Sequence, residues 1–131
     1  MRRTLLYLLL AGALVLGYRS FSRGAQETVV LRTSTLANQD HFATLWVVDD
    51  HPHLWIRAED RRRRWLGSVQ AHPEVELRRG DRTLRLRATP YDTAEARAYV
   101  DAMFREKYGL ADRARDLLAT RDTLPIRLDP R

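Results

Sequence analysis

Two residues, Gly80-Asp81, constrain the fold of this 131-residue chain more than any other feature. They separate two runs of strand-forming residues, Glu74–Arg79 and Arg82–Pro90. A two-residue loop with Gly first has the chemistry of a type II′ turn, whose twist matches that of the strands it joins. Such a turn fixes the register. Glu76 then faces Arg85 and Glu74 faces Arg87 on one side, while Val75 faces Leu86 and Leu77 faces Leu84 on the other. One face is charge-paired and the other apolar, as a half-buried antiparallel ribbon requires.

The remaining periodicities extend this ribbon into a sheet. Residues 27–33 (ETVVLRT) read as a strand. Residues 42–48 (FATLWVV) are apolar on both faces and predict a central strand covered on both sides. Asp49-Asp50-His51-Pro52 predicts a turn, and residues 54–58 the strand after it. Asp60 is placed to cap a helix from Arg61 to Ala71 with Trp65, Leu66 and Val69 on its apolar side, and His72-Pro73 ends it. Asp92-Thr93-Ala94-Glu95 resembles a capping box, opening a helix to Tyr108 that buries Ala96, Tyr99, Val100 and Met103 and stops at Gly109. Lys107 is expected against the carbonyl end of that helix. A short helix over 111–120 and a last edge strand over 123–128 complete the chain, the edge assigned because Pro125 cannot donate to a ladder. The sum is an α+β fold: a small, mostly antiparallel, closed or split β-barrel with two or three flanking helices.

Ahead of it, residues 1–26 form a separate unit, leaving 27–131 as the domain. Arg2 and Arg3 precede Thr4–Tyr18, fifteen residues without a charge, with Arg19 and Arg23 following. As a helix this segment spans roughly 22 Å against a hydrocarbon core of roughly 30 Å. The layout predicts an N-terminal apolar helix serving as an uncleaved signal anchor, or an export signal, with the side of the membrane left open. The net charge of +6 is concentrated there. Beyond residue 23 acids and bases nearly balance, so nucleic acid is not an expected partner. The chain has no Cys, which removes disulfides, thiolate metal sites and thiol nucleophiles. His51 and His53 stand at strand spacing without a third ligand, and no metal site is predicted. No phosphate-cradling Gly-rich motif or nucleophile elbow is present, and no catalytic side chain is assigned.

The runs Leu45-Trp46-Val47-Val48, Leu54-Trp55-Ile56-Arg57, Arg64-Trp65 and His72-Pro73-Glu74-Val75-Glu76-Leu77, with the segments 106–109 and 123–130, resemble the flavin-binding split-barrel superfamily over roughly residues 27–130. That superfamily includes pyridoxamine phosphate oxidase-like proteins and deazaflavin-dependent nitroreductases. The resemblance implies a homodimer binding FMN or a deazaflavin and acting as an oxidoreductase on a small molecule, here tethered to the membrane through residues 4–18. Carried over residue by residue, Arg57, Arg61, Arg62 and Arg64 hold the cofactor phosphate, and Trp65 with Trp46 or Trp55 borders the ring. A helix N-terminus and bidentate Arg side chains suit a phosphate. Helical spacing places Arg62 beside Leu66 and Val69, leaning towards the core.

A second reading stays open. Glu59-Asp60 sit where relatives place Ser or Thr and compete for the same N–H groups, and the loop 34–40 carries neither Gly nor a base. On that reading the chain is a cofactor-free split-barrel dimer, a binding or structural module.

Overall fold

The computed structural model describes residues 27–34, 39–109, 111–112 and 123–131. The apolar segment 4–18 and most of the helix expected over 111–120 lie outside the described residues. In chain order the elements are β1 (Thr28–Ser34), β2 (Asp40–Trp46), β3 (Val48–Asp50), β4 (His53–Ala58), α1 (Arg64–Ala71), β5 (Glu74–Arg79), β6 (Arg82–Pro90), α2 (Ala94–Tyr108) and β7 (Leu124–Pro130).

The strands form one antiparallel sheet in the order β2-β1-β5-β6-β7-β4-β3. Its two edge strands, β2 and β3, are separated in the chain by Val47 alone. The sheet must therefore curl until its edges meet at Trp46–Val48. β3 is three residues long. Past it, the end of β4 faces β2 across a seam that no ladder closes, which makes the sheet a half-open barrel.

Alternation fills the interior. Val29 and Leu31 of β1, Ile56 and Ala58 of β4, Val75 and Leu77 of β5, Leu86 and Ala88 of β6, and Leu124, Ile126 and Leu128 of β7 are buried together with Trp65, Leu66 and Val69 of α1. The hairpin adopts the register its turn dictates: Glu74↔Arg87, Val75↔Leu86, Glu76↔Arg85 and Leu77↔Leu84, with Gly80 at φ +62°. Burying each large aliphatic side chain contributes about 1.5–3 kcal/mol, while an exposed ion pair gives about 0–1. The Arg85–Glu76 pair spans 4.0 Å, so the apolar face holds the register.

A second cluster lies outside the barrel, beneath α2. Val48, Trp55, Val100, Phe104 and Tyr108 are buried there, with Trp46, Tyr91 and Met103 against them. The Tyr108 hydroxyl accepts from the Val47 N–H at 3.1 Å and lies within hydrogen-bond reach of the Val47 and Glu27 carbonyls, clamping α2 to the corner where the sheet edges meet.

Several expectations need correction. The strand covered on both faces is β4, with Ile56 and Ala58 inward and Trp55 and Arg57 beneath α2. β2 is instead an edge, and Phe42 is 67% exposed. β7 is interior, between β6 and β4. The Pro125 carbonyl accepts from the Tyr91 N–H, just past the last β6–β7 pair, Pro90↔Ile126. Its nitrogen faces the same side, where the ladder has already ended and needs no donor. The cap of α2 is Thr93, whose hydroxyl accepts from the Ala96 N–H at 3.1 Å, and Asp92 is thereby freed for arginines. α2 buries Val100, Phe104 and Tyr108 rather than Ala96, Tyr99 and Met103. Lys107 turns away from its helix end to Glu27 and the Val47 carbonyl.

Candidate functional site

The seam ends at the start of α1. Helix α1 begins at Arg64, three residues later than the spacing predicts, with Arg63 at the N-cap and no side-chain hydrogen bond closing it. Its first turn contains no acid. Asp60 takes the Arg62 N–H at 2.9 Å in the turn ahead of the helix, and the N-cap residue, Arg63, contributes no side-chain cap. The Arg62 backbone N–H, and then its side chain, hold the exposed Asp60 carboxyl below the usual carboxylate range. The first N–H groups of a helix lack intrahelical acceptors and form the positive end of its dipole.

Two adjoining cavities open here. One of about 260 Å³ is bounded by Phe42–Leu45 of β2, by Arg57 and Glu59, and by Arg63 and Trp65. The other, shallower and about 610 Å³, runs from Asp40–Phe42 to Arg62–Trp65. Phe42, Arg63 and Trp65 belong to both, so the two form one cleft.

The arginines divide into two groups. Arg57 is enclosed, its guanidinium donating to Asp112 at 2.5 Å and Asp101 at 2.8 Å while lying 4.0 Å above the Phe104 ring. Burial opposes its charge, yet the bonds to Asp112 and Asp101 hold its pKa above the usual value. Arg61 makes a bidentate pair with Asp92 at 2.7 and 2.8 Å, and Arg97 joins the same carboxylate. Arg61, first, and then Arg97 draw the Asp92 carboxyl down to about 2. Arg62 pairs with Asp60 at 3.1 Å, its side chain 88% exposed, so it does not lean into the core as helical spacing implied. Residue 62 precedes the helix, and helical spacing does not apply to it.

Arg63 and Arg64 are different. Among the described residues, neither guanidinium forms an ion pair with a carboxylate. Both are exposed at the mouth of the cleft. Nothing local in the sequence separates Arg63 from its neighbours in a run of four.

Of the tryptophans, Trp65 alone borders the cleft, while its body packs into the barrel interior. The other two lie elsewhere. Trp46 stacks on Tyr108 at 4.3 Å, and Trp55 donates to Asp50 at 2.9 Å with its ring edge-on to Tyr91. Both belong to the cluster beneath α2. His53 is bound by Asp129, and His51 lies in the exposed turn.

Known structures share this architecture. The conserved hypothetical protein Rv2991 from Mycobacterium tuberculosis matches 88% of this chain over 79% of its own, at 16% identity and a TM-score of 0.65. An F420-H2-dependent reductase, FDR-A, matches 79% of this chain over 95% of its own, at 18% identity and a TM-score of 0.64. The haem storage protein HutZ from Vibrio cholerae matches 88% of each chain, at 16% identity and a TM-score of 0.67. The fold is the split barrel. No protein-family model and no curated protein matches the sequence, so the likeness is one of fold. Within the split barrel, the cleft lies at the split itself, where β2 and β4 part and α1 begins.

Proposed function

We propose that the chain is a flavin- or deazaflavin-binding oxidoreductase acting on a small molecule, with the cofactor's anionic tail at the start of α1. The observation that carries this reading is that Arg63 and Arg64 have no acid paired with them among the described residues, beside an uncapped helix N-terminus and Trp65. The donor set fits such a group. Each guanidinium presents five N–H donors in a planar fork matched to phosphate oxygens, and Phe42 and Trp65 supply apolar walls for a ring. When bound, a flavin or deazaflavin supplies the hydride or electron transfer. Arg63 and Arg64 would hold the anion, and Trp65 would orient the ring and exclude water from one side. Arg57 and Arg61 would act one step back, fixing the strand end and the turn from which α1 starts.

The test is direct. FMN or a deazaflavin added to the purified full-length chain should bind with quenched fluorescence, and Arg63→Glu with Arg64→Glu should weaken that binding at least tenfold. Absence of binding by the unaltered protein defeats the proposal.

A homodimer and a membrane tether complete it. One solved protein of this fold is a domain-swapped dimer, and the exposed Phe42 at the cleft mouth suits coverage by a second copy. Residues 1–26 would anchor the domain 27–131, and retention in the membrane fraction after carbonate washing checks this. The second reading, a cofactor-free dimeric module, draws on Arg57, Arg61 and Arg62 being held by acids. A dimer by light scattering that ignores both cofactors would favour it.

A further inference from the structure

The arginines of the cleft can hold charge but cannot release a proton at any physiological pH. We propose that His41 is the acid–base residue of this cleft, giving a proton to the acceptor as it is reduced; this rests on the cofactor reading above. His41 lies on β2 opposite Thr33, and the buried Thr33 hydroxyl donates to the His41 carbonyl at 3.4 Å. That pairing fixes the backbone where the half-buried imidazole borders the cleft with Phe42, Arg63, Arg64 and Trp65. Among the described residues the imidazole has no hydrogen-bond, ion-pair or ring partner.

The other histidines are elsewhere: His53 is bound by Asp129, His51 is in a turn, and His72 borders a separate cavity with Arg32 and Glu74. The charged groups facing His41 are Arg62, Arg63 and Arg64 from the start of α1, with Asp40 beside it and Glu59 in the adjoining cavity. Asp40 is engaged by Arg32 at 3.2 Å and by the Ser34 hydroxyl at 3.2 Å. Imidazole is the side chain whose ordinary titration spans about pH 5 to 8, which suits it to general acid catalysis.

The step balances for a quinone acceptor. A bound, reduced flavin or deazaflavin would supply the hydride, two electrons and one hydrogen, which leaves the quinone with an electron pair on oxygen. The imidazolium N–H breaks, its proton forms the O–H bond of the hydroquinone, and the neutral imidazole recovers a proton from water.

The experiment uses the full-length chain, FMN (oxidised for binding, chemically reduced beforehand for turnover), inorganic phosphate and a soluble quinone. His41→Gln should bind FMN within about threefold of the unaltered protein. Its quinone reduction should fall about 10²- to 10⁴-fold and lose its pH dependence, with added imidazole restoring part of the rate. In the unaltered protein, the His41 ring resonances should move on addition of FMN or phosphate. If FMN binds while those resonances stay fixed, or if His41→Gln keeps the rate and its pH profile, this inference fails and the cofactor site survives. If neither FMN nor a deazaflavin binds, the site and the inference fall together.

Discussion

In the β5–β6 hairpin the strands pair from Glu74↔Arg87 to Arg79↔Arg82 without interruption. Across the seam, β2 and the end of β4 approach each other with no ladder between them. Both regions combine apolar residues with arginines, so composition does not separate them. Position in the sheet does. The hairpin closes through two residues between neighbouring strands, whereas β2 is one edge of the strand order and β4 lies next to the other, and β3 is too short to seal them. Polar and charged groups tolerate such a gap because water or a ligand can satisfy them there, and a closed sheet interior offers neither.

The same contrast separates the locked arginines from the open ones, and it can be broken. The largest effect is expected at Arg57. Arg57→Met leaves Asp112, 1% exposed, without its partner. Stranding a buried charge costs about 3–5 kcal/mol, readable as a lowered denaturation midpoint. Adding Asp112→Leu should recover most of the loss, whereas an arginine reserved for a ligand would show no such recovery.

Next comes the corner clamp. Tyr108→Phe removes a hydroxyl that accepts from a buried N–H, at about 1–3 kcal/mol. Burial is the main cause pushing the Tyr108 phenol up to about 12. Its contribution is complete below the ordinary value near 10 and is lost as pH rises from there through about 12. Alkaline unfolding followed by circular dichroism should lose that step in the variant. At the acid end, the depressed Asp92 carboxyl contributes above the ordinary value of 3.8, and that contribution disappears as pH falls through about 2. Asp92→Asn should flatten this limb.

Gly80→Ala tests the hairpin directly. With nothing within 4 Å of an added Cβ, the cost is the positive φ alone, about 1–2 kcal/mol. The smallest change in stability is expected at the seam. Arg63→Gln or Arg64→Gln should shift it by no more than about 0.5 kcal/mol while weakening FMN binding. A larger loss of stability would place them with Arg57.

Much of the fold was legible in the chain. The Gly80-Asp81 turn fixed the register of β5 and β6, and the periodicity marked Trp65, Leu66 and Val69 as the buried side of α1. The reading of β2 as a central strand was misled by composition: Phe42 and Trp46 are apolar, but one faces solvent and the other stacks beneath α2. Pro125 suggested an edge because the sequence does not reveal where a neighbouring ladder ends. The basic run at residues 61–64 stands at the start of α1, at the mouth of the cleft. The sequence could not rank its members, since they are chemically identical and the helix starts later than its spacing implied.

What the sequence determined by itself is local: a turn type, strand alternation, a Thr able to cap a helix, and a concentration of guanidinium groups at one helix start. What the tertiary structure decided is which of those groups, among the described residues, an acid holds in an ion pair. The acids that neutralise Arg57 and Arg61 lie 55 and 31 residues away and arrive only when the sheet curls and α2 docks. Ion pairing acts over a few ångströms, so its outcome follows from distances in space that separation along the chain does not encode.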